Sequence, residues 1–184
     1  MKNSFTWAAF FVALLALTGS LLLSWQLHLK ACPLCLYQRI FVMGVVGLMG
    51  VGLCVGGLRP GLLSLLALPL ASGGLAVAAF HVYLVQNGTL ECPHGLFGLG
   101  LAPEQSLVIL ALLTALLLTD VIRSGSAGGF SWLATPLPAI LGVLLGFAAI
   151  KSGPPAPPIP PGGYAVEVDK DGCRPVYRQP SRGQ

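Results

Sequence analysis

The sequence predicts an all-α membrane protein, a polytopic bundle of helices that crosses a lipid bilayer several times. Of its 184 residues, 55% are hydrophobic and 9% are charged, whereas roughly a quarter of the residues are charged in an ordinary soluble domain. A soluble fold of this size would need more polar surface to cover its core. No basic stripe with interleaved aromatic residues runs along the chain, which argues against binding to nucleic acid.

Five apolar runs are each long enough for a helix to cross a hydrocarbon core of roughly 30 Å, which takes about 20 residues. The backbone amides of a spanning segment need internal partners, and these runs show little alternation, so helices are favoured over barrel strands. The first run ends without an A-x-A-like cleavage site and is too long for a signal peptide, so we expect it to be retained. The runs cover residues 5–29, 36–58, 62–85, 105–122 and 132–150.

Two pairs of glycines have the spacing that lets helices approach closely in a membrane. They are Gly52 with Gly56, and Gly142 with Gly146. A general enrichment of glycine in lipid-embedded helices is the alternative explanation. Beyond the last run, residues 151–163 are rich in proline and predict an extended polyproline spacer. A short polar tail, residues 164–184, follows it.

An odd number of crossings determines which connections share a side of the membrane. Residues 31–35, the loop 86–104 and the tail after residue 150 fall on one side. Four of the five cysteines lie in these segments, and Cys54 lies in the middle of a run. The four are Cys32, Cys35, Cys92 and Cys173. Basic residues near the membrane are balanced between the two sides. Because disulfide cycling favours an oxidising compartment, we expect the cysteines outside the cytoplasm and the N-terminus inside it.

The pair Cys32 and Cys35, separated by two residues, can close into a small disulfide ring. Its reactive form is the thiolate, which nearby positive charge favours, and Lys30 and Arg39 supply such charge. Arg39 lies one helical turn beyond Cys35 on the same face. An arginine at this depth is a candidate for a functional site, and a snorkelling membrane anchor is the alternative. The two cysteines alone could also bind a metal.

His81 lies near the end of the third run, at about the depth of Arg39. The two side chains could therefore border a slot beneath the dithiol, suited to a lipid-soluble ring that carries polar oxygens. Arg39 would offer charge, and His81 a hydrogen bond or a proton, as the ring is reduced. The alternative is that His81 only packs between helices through a hydrogen bond.

The stretch Cys32-Pro33-Leu34-Cys35-Leu36-Tyr37-Gln38-Arg39, with Phe80-His81-Val82-Tyr83-Leu84, resembles the disulfide-bond formation protein B (DsbB) family. The resemblance covers residues 5–122. It implies a bacterial cytoplasmic-membrane enzyme that reoxidises a DsbA-like thioredoxin-fold partner and reduces ubiquinone or menaquinone. It further implies that Cys32 and Cys35 are the redox pair near the quinone, with the Cys35 thiolate facing it, and that Arg39 and His81 line the quinone site. The chain then divides into a four-helix core, 1–123, an extra fifth span, 124–150, and a tail, 151–184.

The sequence departs from this family in its second cysteine pair. Members usually hold that pair in the loop between the third and fourth spans, but here the loop 86–104 contains only Cys92. Cys173 is the candidate partner, because about ten spacer residues at 3.1 Å each reach on the order of 30 Å back over the bundle. We expect a Cys92–Cys173 disulfide that faces the soluble partner and passes electrons to Cys32 and Cys35. A purely structural disulfide or an unpaired tail thiol is the alternative.

Two other functions compete with this interpretation. The vitamin K epoxide reductase family uses similar quinone chemistry, but its membrane cysteine pair normally lies late in the bundle, whereas here it follows the first span. A non-catalytic protein could instead bind zinc or copper through Cys32, Cys35, Cys92 and His94.

Overall fold

The computed structural model describes residues 4–26, 32–56, 61–126, 136–153, 159–160, 164, 167–168 and 172–177. Its main elements are helices, which confirms the predicted all-α bundle. Two strands of two residues each join the tail to the loop after the third helix. In chain order the elements are α1 Ser4–Gln26, α2 Pro33–Val55, α3 Leu62–Gln86, β1 Leu90–Glu91, α4 Ala102–Ser126, α5 Pro136–Ser152 and β2 Arg174–Pro175.

The first four helices are each long and apolar enough to cross a membrane. Large apolar side chains also cover the outer surface of the bundle, as at Leu15, 71% exposed, Val51, 65% exposed, and Val108, 67% exposed. An apolar surface of this extent matches a hydrocarbon solvent and not water. The chain is therefore a multi-pass membrane protein.

The fifth predicted run corresponds to α5, a helix of 17 residues. Residues 132–135, the start of that run, lie outside the described residues. At a rise of 1.5 Å per residue, α5 is about 25 Å long, which is shorter than the other four helices. Its contacts show that it runs parallel to α3, because Gly142 lies against Pro69 of α3 and Gly146 lies against Gly73. The chain thus returns along α5 to the end of the bundle at which α3 finishes.

The predicted close approach of helices holds for one glycine pair. A β-carbon on Gly146 would lie 2.7 Å from the Gly73 carbonyl oxygen, and one on Gly142 would collide with Pro69 and Ser72. The backbones of α3 and α5 are therefore in direct contact. Gly56, in contrast, has no neighbour within 4 Å among the described atoms. It caps the C-terminus of α2 with a positive φ of 67°, a conformation that glycine adopts without strain.

A buried carboxylate ties three helices together at the end of the bundle far from the cysteines. Asp120 of α4 is 5% exposed and accepts hydrogen bonds from Thr6 Oγ1 of α1 at 2.9 Å and Ser64 Oγ of α3 at 2.6 Å. Between this contact and the cysteines lies an apolar core of closely packed side chains. Its buried members include Ala13, Val45, Met49, Leu68, Ala71, Leu113 and Leu117.

Helix α2 begins at Pro33 and not at residue 36, where its apolar run starts. Proline suits the first helical position because its fixed φ is already helical and its missing N–H is not needed there. Cys32 is the N-cap, and its Sγ accepts a hydrogen bond from the Cys35 amide at 3.3 Å. The expectation that both cysteines belong to the preceding connection is therefore wrong for Cys35, which lies in the first helical turn.

The tail is fastened to the loop that follows α3. Strands β1 and β2 are antiparallel, with Glu91 opposite Arg174, and these two side chains form an ion pair. The Arg174 guanidinium also lies 4.1 Å from the centre of the Tyr164 ring, and Val176 N–H donates to the Thr89 carbonyl at 3.2 Å. These contacts return the tail to the loop that contains Cys92.

The contact between α3 and α5 can be tested with a single methyl group. We expect Gly142→Ala to destabilise the bundle by about 1–3 kcal/mol, the usual cost of overpacking, because the new β-carbon has no room beside Pro69 and Ser72. Thermal unfolding in detergent measures the change. Gly47→Ala is the matched control, since a β-carbon there meets nothing within 4 Å. Equal stability of the two variants would contradict the close approach of α3 and α5.

Candidate functional site

Four cysteines meet at the end of the bundle where α1, α3 and α5 finish and α2 and α4 begin. Cys92 and Cys173 form a disulfide across 81 residues of sequence, which confirms the predicted pairing. Cys32 and Cys35 are free thiols whose sulfur atoms lie 2.9 Å apart. The structure thus has a bonded outer pair, Cys92 and Cys173, beside an unbonded inner pair, Cys32 and Cys35.

The two cysteine pairs are close enough to react with each other. The Sγ atoms of Cys32, Cys35 and Cys173, together with a ring nitrogen of His81, all lie within 4.8 Å of one another. Thiol–disulfide exchange requires a thiolate to approach a disulfide sulfur directly. Only a small movement separates these sulfurs from such contact. The prediction that the four cysteines share one end of the bundle is therefore confirmed.

The thiol of Cys32 is more acidic than an ordinary cysteine thiol. Its hydrogen bond with Cys35 makes the largest contribution and, with a hydrogen bond and an electrostatic interaction with His81, lowers the pKa of Cys32 from 9.0 to about 5, against the opposing effect of burial. Its position as the N-cap of α2 also places it where a helix favours negative charge. At neutral pH the Cys32 sulfur is therefore a thiolate.

His81 lies between the two cysteine pairs and is fully buried. Its Nε2 is 3.4 Å from Cys92 Sγ and 3.9 Å from Cys32 Sγ. Its Nδ1 faces the Gln38 side-chain nitrogen at 3.3 Å. The Gln38 carbonyl oxygen in turn accepts a hydrogen bond from Ser106 Oγ of α4. One imidazole thus contacts a sulfur from each pair.

A cavity of about 170 Å³ lies on the other side of Cys35. An apolar protein cavity of about 150 Å³ accommodates one benzene molecule, so this cavity has the size of one six-membered ring. Its walls come from α1, α2, α4, the loop before α4 and the tail. The polar lining residues are Ser20, Ser24, Gln38, Arg39, Gln105 and Ser106, and the sulfur-bearing ones are Cys35 and Cys173.

Arg39 is held in the cavity wall by α1. Its Nε donates to Ser20 Oγ at 3.1 Å, and its Nη2 donates to the Ser20 carbonyl at 2.9 Å and to Ser24 Oγ at 2.8 Å. Ser20 and Ser24 are one helical turn apart, so they form a single docking edge for the guanidinium. In the described part of the chain, Nη1 donates no hydrogen bond. This nitrogen is therefore available to an oxygen atom of a ligand in the cavity.

The structure places the residues singled out in the sequence at two neighbouring sites, the cavity and the cluster of sulfurs around His81. Cys35 and Arg39 line the cavity. His81 does not; it lies on the sulfur side of Cys32, between the two pairs. Cys54 is exposed on α2 and takes no part.

The predicted metal-ligand set of Cys32, Cys35, Cys92 and His94 is not brought together. Cys92 is bonded to Cys173, and His94 is exposed in the loop, where it forms an isolated β-bridge with Leu101. Among the described residues, the group with metal-ligand spacing is Cys32, Cys35, His81 and Cys173. In the state seen here, the disulfide engages one of these four ligands.

Sequence reasoning missed four polar residues of the site. Ser20 and Ser24 hold Arg39, Gln38 contacts His81, and Ser106 donates a hydrogen bond to Gln38. A signal for Gln38 was present, because an amide between Cys35 and Arg39 lies within an apolar run and needs a partner there. The serines carry no comparable signal, since serine is common in membrane helices and often bonds its own backbone.

The chain belongs to the DsbB family. Residues 2–136 match the family described as "Disulfide bond formation protein DsbB", which is well over half of the chain. This match decides between the two enzyme families considered from the sequence. It ends where α5 begins, so α5 and the tail with Cys173 lie outside it.

One curated relative, from Deinococcus radiodurans, is described as a "Probable disulfide formation protein". It is 41% identical over 82 residues, which are 44% of this chain and 50% of the relative. The match therefore spans about half the length of that protein. No solved structure matches the chain.

The acidity of Cys32 gives a prediction for its reactivity. We expect alkylation of Cys32 in the reduced protein to have its midpoint near pH 5, because the thiolate is the reacting form and the pKa is about 5. His81→Ala removes a hydrogen bond and an electrostatic interaction that help to lower this pKa, so the midpoint should rise, while the larger contribution of the Cys35 hydrogen bond remains. Quantitative mass spectrometry of the Cys32 peptide, in a Cys54→Ala background, measures both profiles. A midpoint that does not move in His81→Ala would contradict the role of His81.

Proposed function

We propose that this DsbB-family protein is a membrane thiol oxidase that reoxidises a DsbA-like thioredoxin-fold partner and delivers the electrons to a quinone, ubiquinone or menaquinone. Electrons would pass from Cys92 and Cys173 to Cys32 and Cys35, and from there to the quinone. One observation carries the proposal: three sulfurs from both pairs lie within 4.8 Å of one another, and Cys35 and Cys173 line the same ring-sized cavity.

The first step is exchange between the partner and the outer pair. The partner's two thiols would be oxidised to a disulfide while the Cys92–Cys173 bond breaks, so that two electrons and one proton pass to Cys92 and Cys173 and the second proton leaves to solvent. Cys173 is partly exposed, whereas Cys92 is 5% exposed. The contacts of β1 with β2 keep Cys173 beside the loop after reduction, because they do not depend on the disulfide.

The second step transfers the electrons inward. The Cys32–Cys35 bond would break as the Cys92–Cys173 bond re-forms. Cys173 is the outer sulfur that lies with both inner sulfurs in the cluster, so we assign the first contact to it. The resulting state, an outer disulfide beside an inner dithiol, is the state that the structure shows.

The third step requires an acceptor beside Cys35. A quinone, when bound, accepts two electrons and two protons. The cavity fits a ring of that size, and Arg39 Nη1 would hold a polar oxygen at its edge. Cys35 would face the ring. Cys32 would then form the disulfide with Cys35, since the two sulfur atoms are 2.9 Å apart. Ser20 and Ser24 keep the guanidinium in place while the ligand exchanges.

The chemistry also suggests a location. A protein that forms disulfides by this route needs an oxidising side for its outer pair. We therefore infer that the cysteine end of the bundle faces the exterior of a bacterial cytoplasmic membrane, with the N-terminus of α1 on the cytoplasmic side. Quinones dissolve in the same membrane and can reach the cavity from the lipid.

The proposed electron path predicts which cysteine variants lose activity and which retain it. With a reduced DsbA-like protein and a soluble quinone, we expect the purified protein to reduce the quinone in proportion to the partner disulfide formed. Cys32→Ser and Cys173→Ser should both abolish this coupled reaction, because each interrupts one exchange. Cys54→Ser is the matched control and should retain full activity, since Cys54 lies apart from the cluster. Full activity in Cys173→Ser would remove the tail from the path. Bound zinc without any quinone-dependent activity would favour a metal site.

The docking of Arg39 predicts its effect on the quinone. Lysine at this position keeps the charge but cannot form the fork of hydrogen bonds to Ser20 and Ser24. We expect Arg39→Lys to raise the KM for quinone by roughly 10–100-fold, the equivalent of losing a hydrogen bond to a charged group, with a smaller effect on the KM for the partner. Arg123→Lys, at the far end of α4, should leave both values unchanged. An equal rise in both KM values would point to a general structural defect.

A further inference from the structure

Three polar side chains form a continuous line of hydrogen bonds from the cavity wall to the sulfurs. Ser106 Oγ contacts the Gln38 carbonyl oxygen, the Gln38 nitrogen faces His81 Nδ1 at 3.3 Å, and His81 Nε2 faces Cys92 Sγ at 3.4 Å. Gln38 is 6% exposed and His81 is fully buried. In such surroundings a mismatched donor or acceptor would be left without a partner and away from water, so the polarity of the line is restricted.

The polarity follows from the chemistry of each group. A serine hydroxyl can donate to the Gln38 oxygen, which leaves the Gln38 NH2 group directed at His81. An amide nitrogen only donates, so Nδ1 of His81 must accept. In a neutral imidazole one nitrogen accepts and the other carries the proton. The proton therefore lies on Nε2, which is the nitrogen that faces Cys32 and Cys92.

We propose that Gln38 and Ser106 are positioning residues that hold His81 in its Nε2–H form and direct that N–H at the sulfurs of Cys32 and Cys92. This inference rests on the proposed function for its role in the reaction, but the state of the ring can be measured without any activity. It gives a role to two residues that do not themselves take part in thiol–disulfide exchange.

The arrangement explains how charge is managed during the inward exchange. Before this exchange, Cys32 and Cys35 form a disulfide, Cys92 is the thiolate, and Cys173 carries a proton, which it passes to Cys92 as its own sulfur attacks the inner disulfide. Afterwards, Cys92 and Cys173 form the disulfide, Cys32 is the thiolate, and Cys35 carries the proton that left Cys173. Two electrons have moved, one S–S bond has broken and one has formed. The negative charge begins on one sulfur that faces His81 Nε2 and ends on the other, so the same N–H stabilises both states.

The state of the ring can be read from the nitrogen-15 resonances of His81 in detergent at pH 8, assigned by comparison with a His81→Ala sample. We expect the parent to show a protonated Nε2 and an unprotonated Nδ1. In Gln38→Glu, the carboxylate accepts a hydrogen bond and cannot donate one, so Nδ1 should become protonated. This variant is nearly isosteric and should fold. In Gln38→Leu, the restriction is lost and both neutral forms should appear.

A second readout is the reactivity of Cys32 in the reduced protein. We expect Gln38→Leu and Ser106→Ala to raise the alkylation midpoint of Cys32 by about one pH unit, a tenfold loss of thiolate at low pH, because His81 no longer presents a fixed donor. The other titratable groups of the cluster are Cys35 and, once reduced, Cys92 and Cys173, and they are the same in every sample. Ser106→Thr keeps the hydroxyl and should restore the parent midpoint.

Thr119→Val is the control for removing a hydroxyl from α4, because within the described part of the chain Thr119 bonds its own helix, at the Ala115 carbonyl. It should change neither readout. A protonated Nδ1 in the parent would overturn the inference, as would an unchanged ring state in Gln38→Glu. These outcomes do not depend on the partner or the quinone. If the ring state is wrong but quinone-dependent activity is present, this inference fails and the proposed function stands. If the ring state is as expected but quinone-dependent activity is absent, the proposed function fails and the positioning of His81 stands.

Discussion

The site depends on the close contact of α5 with α3, because this contact brings the tail back to the cysteine end. Without a fifth helix, the chain after α4 would leave the bundle at the end that holds Asp120. Gly142 and Gly146 let the backbones of the two helices touch, and their parallel course returns Cys173 to the loop of Cys92. The part of the chain that matches the DsbB family ends at residue 136. This protein thus completes its outer pair with a segment beyond the family core.

The two ends of the bundle are held by different kinds of contact, the Asp120 hydrogen bonds at one end and the contacts of the tail at the cysteine end. At one end, Asp120 accepts two hydroxyl hydrogen bonds in an apolar environment, where such bonds have little competition from water. At the other end, the tail is fastened by two short strands, one ion pair and the disulfide. Only the last of these changes with redox state. In the proposed mechanism, the tail would therefore exchange its sulfur while the helices that build the cavity keep their positions.

The sequence predicted much of this arrangement, and the reasons for its failures are local. Apolar runs identified the helices because a bilayer requires long, uniformly apolar segments. Parity then placed the four cysteines together, and the single loop cysteine led to Cys173. The start of α2 was misplaced because Pro33 and an N-capping thiol extend a helix beyond its apolar run. The serines that support Arg39 and Gln38 could not be found, since they depend on the rotation of α1 and α4 about their axes, which near-uniform apolar helices do not reveal.

The two inner cysteines face in different directions, and this difference gives the site its order. Cys32 is directed at His81 and the outer pair, and its thiolate is favoured by the helix N-terminus and the imidazole. Cys35 lines the cavity, where Arg39 Nη1 donates no hydrogen bond within the described part of the chain. Nitrogen donors thus lie on both sides of one short dithiol, His81 beside Cys32 and Arg39 beside Cys35. In the proposed path, electrons that enter near His81 would leave near Arg39 after a change of a single S–S bond, so transfer across the pair would not require the helices to move.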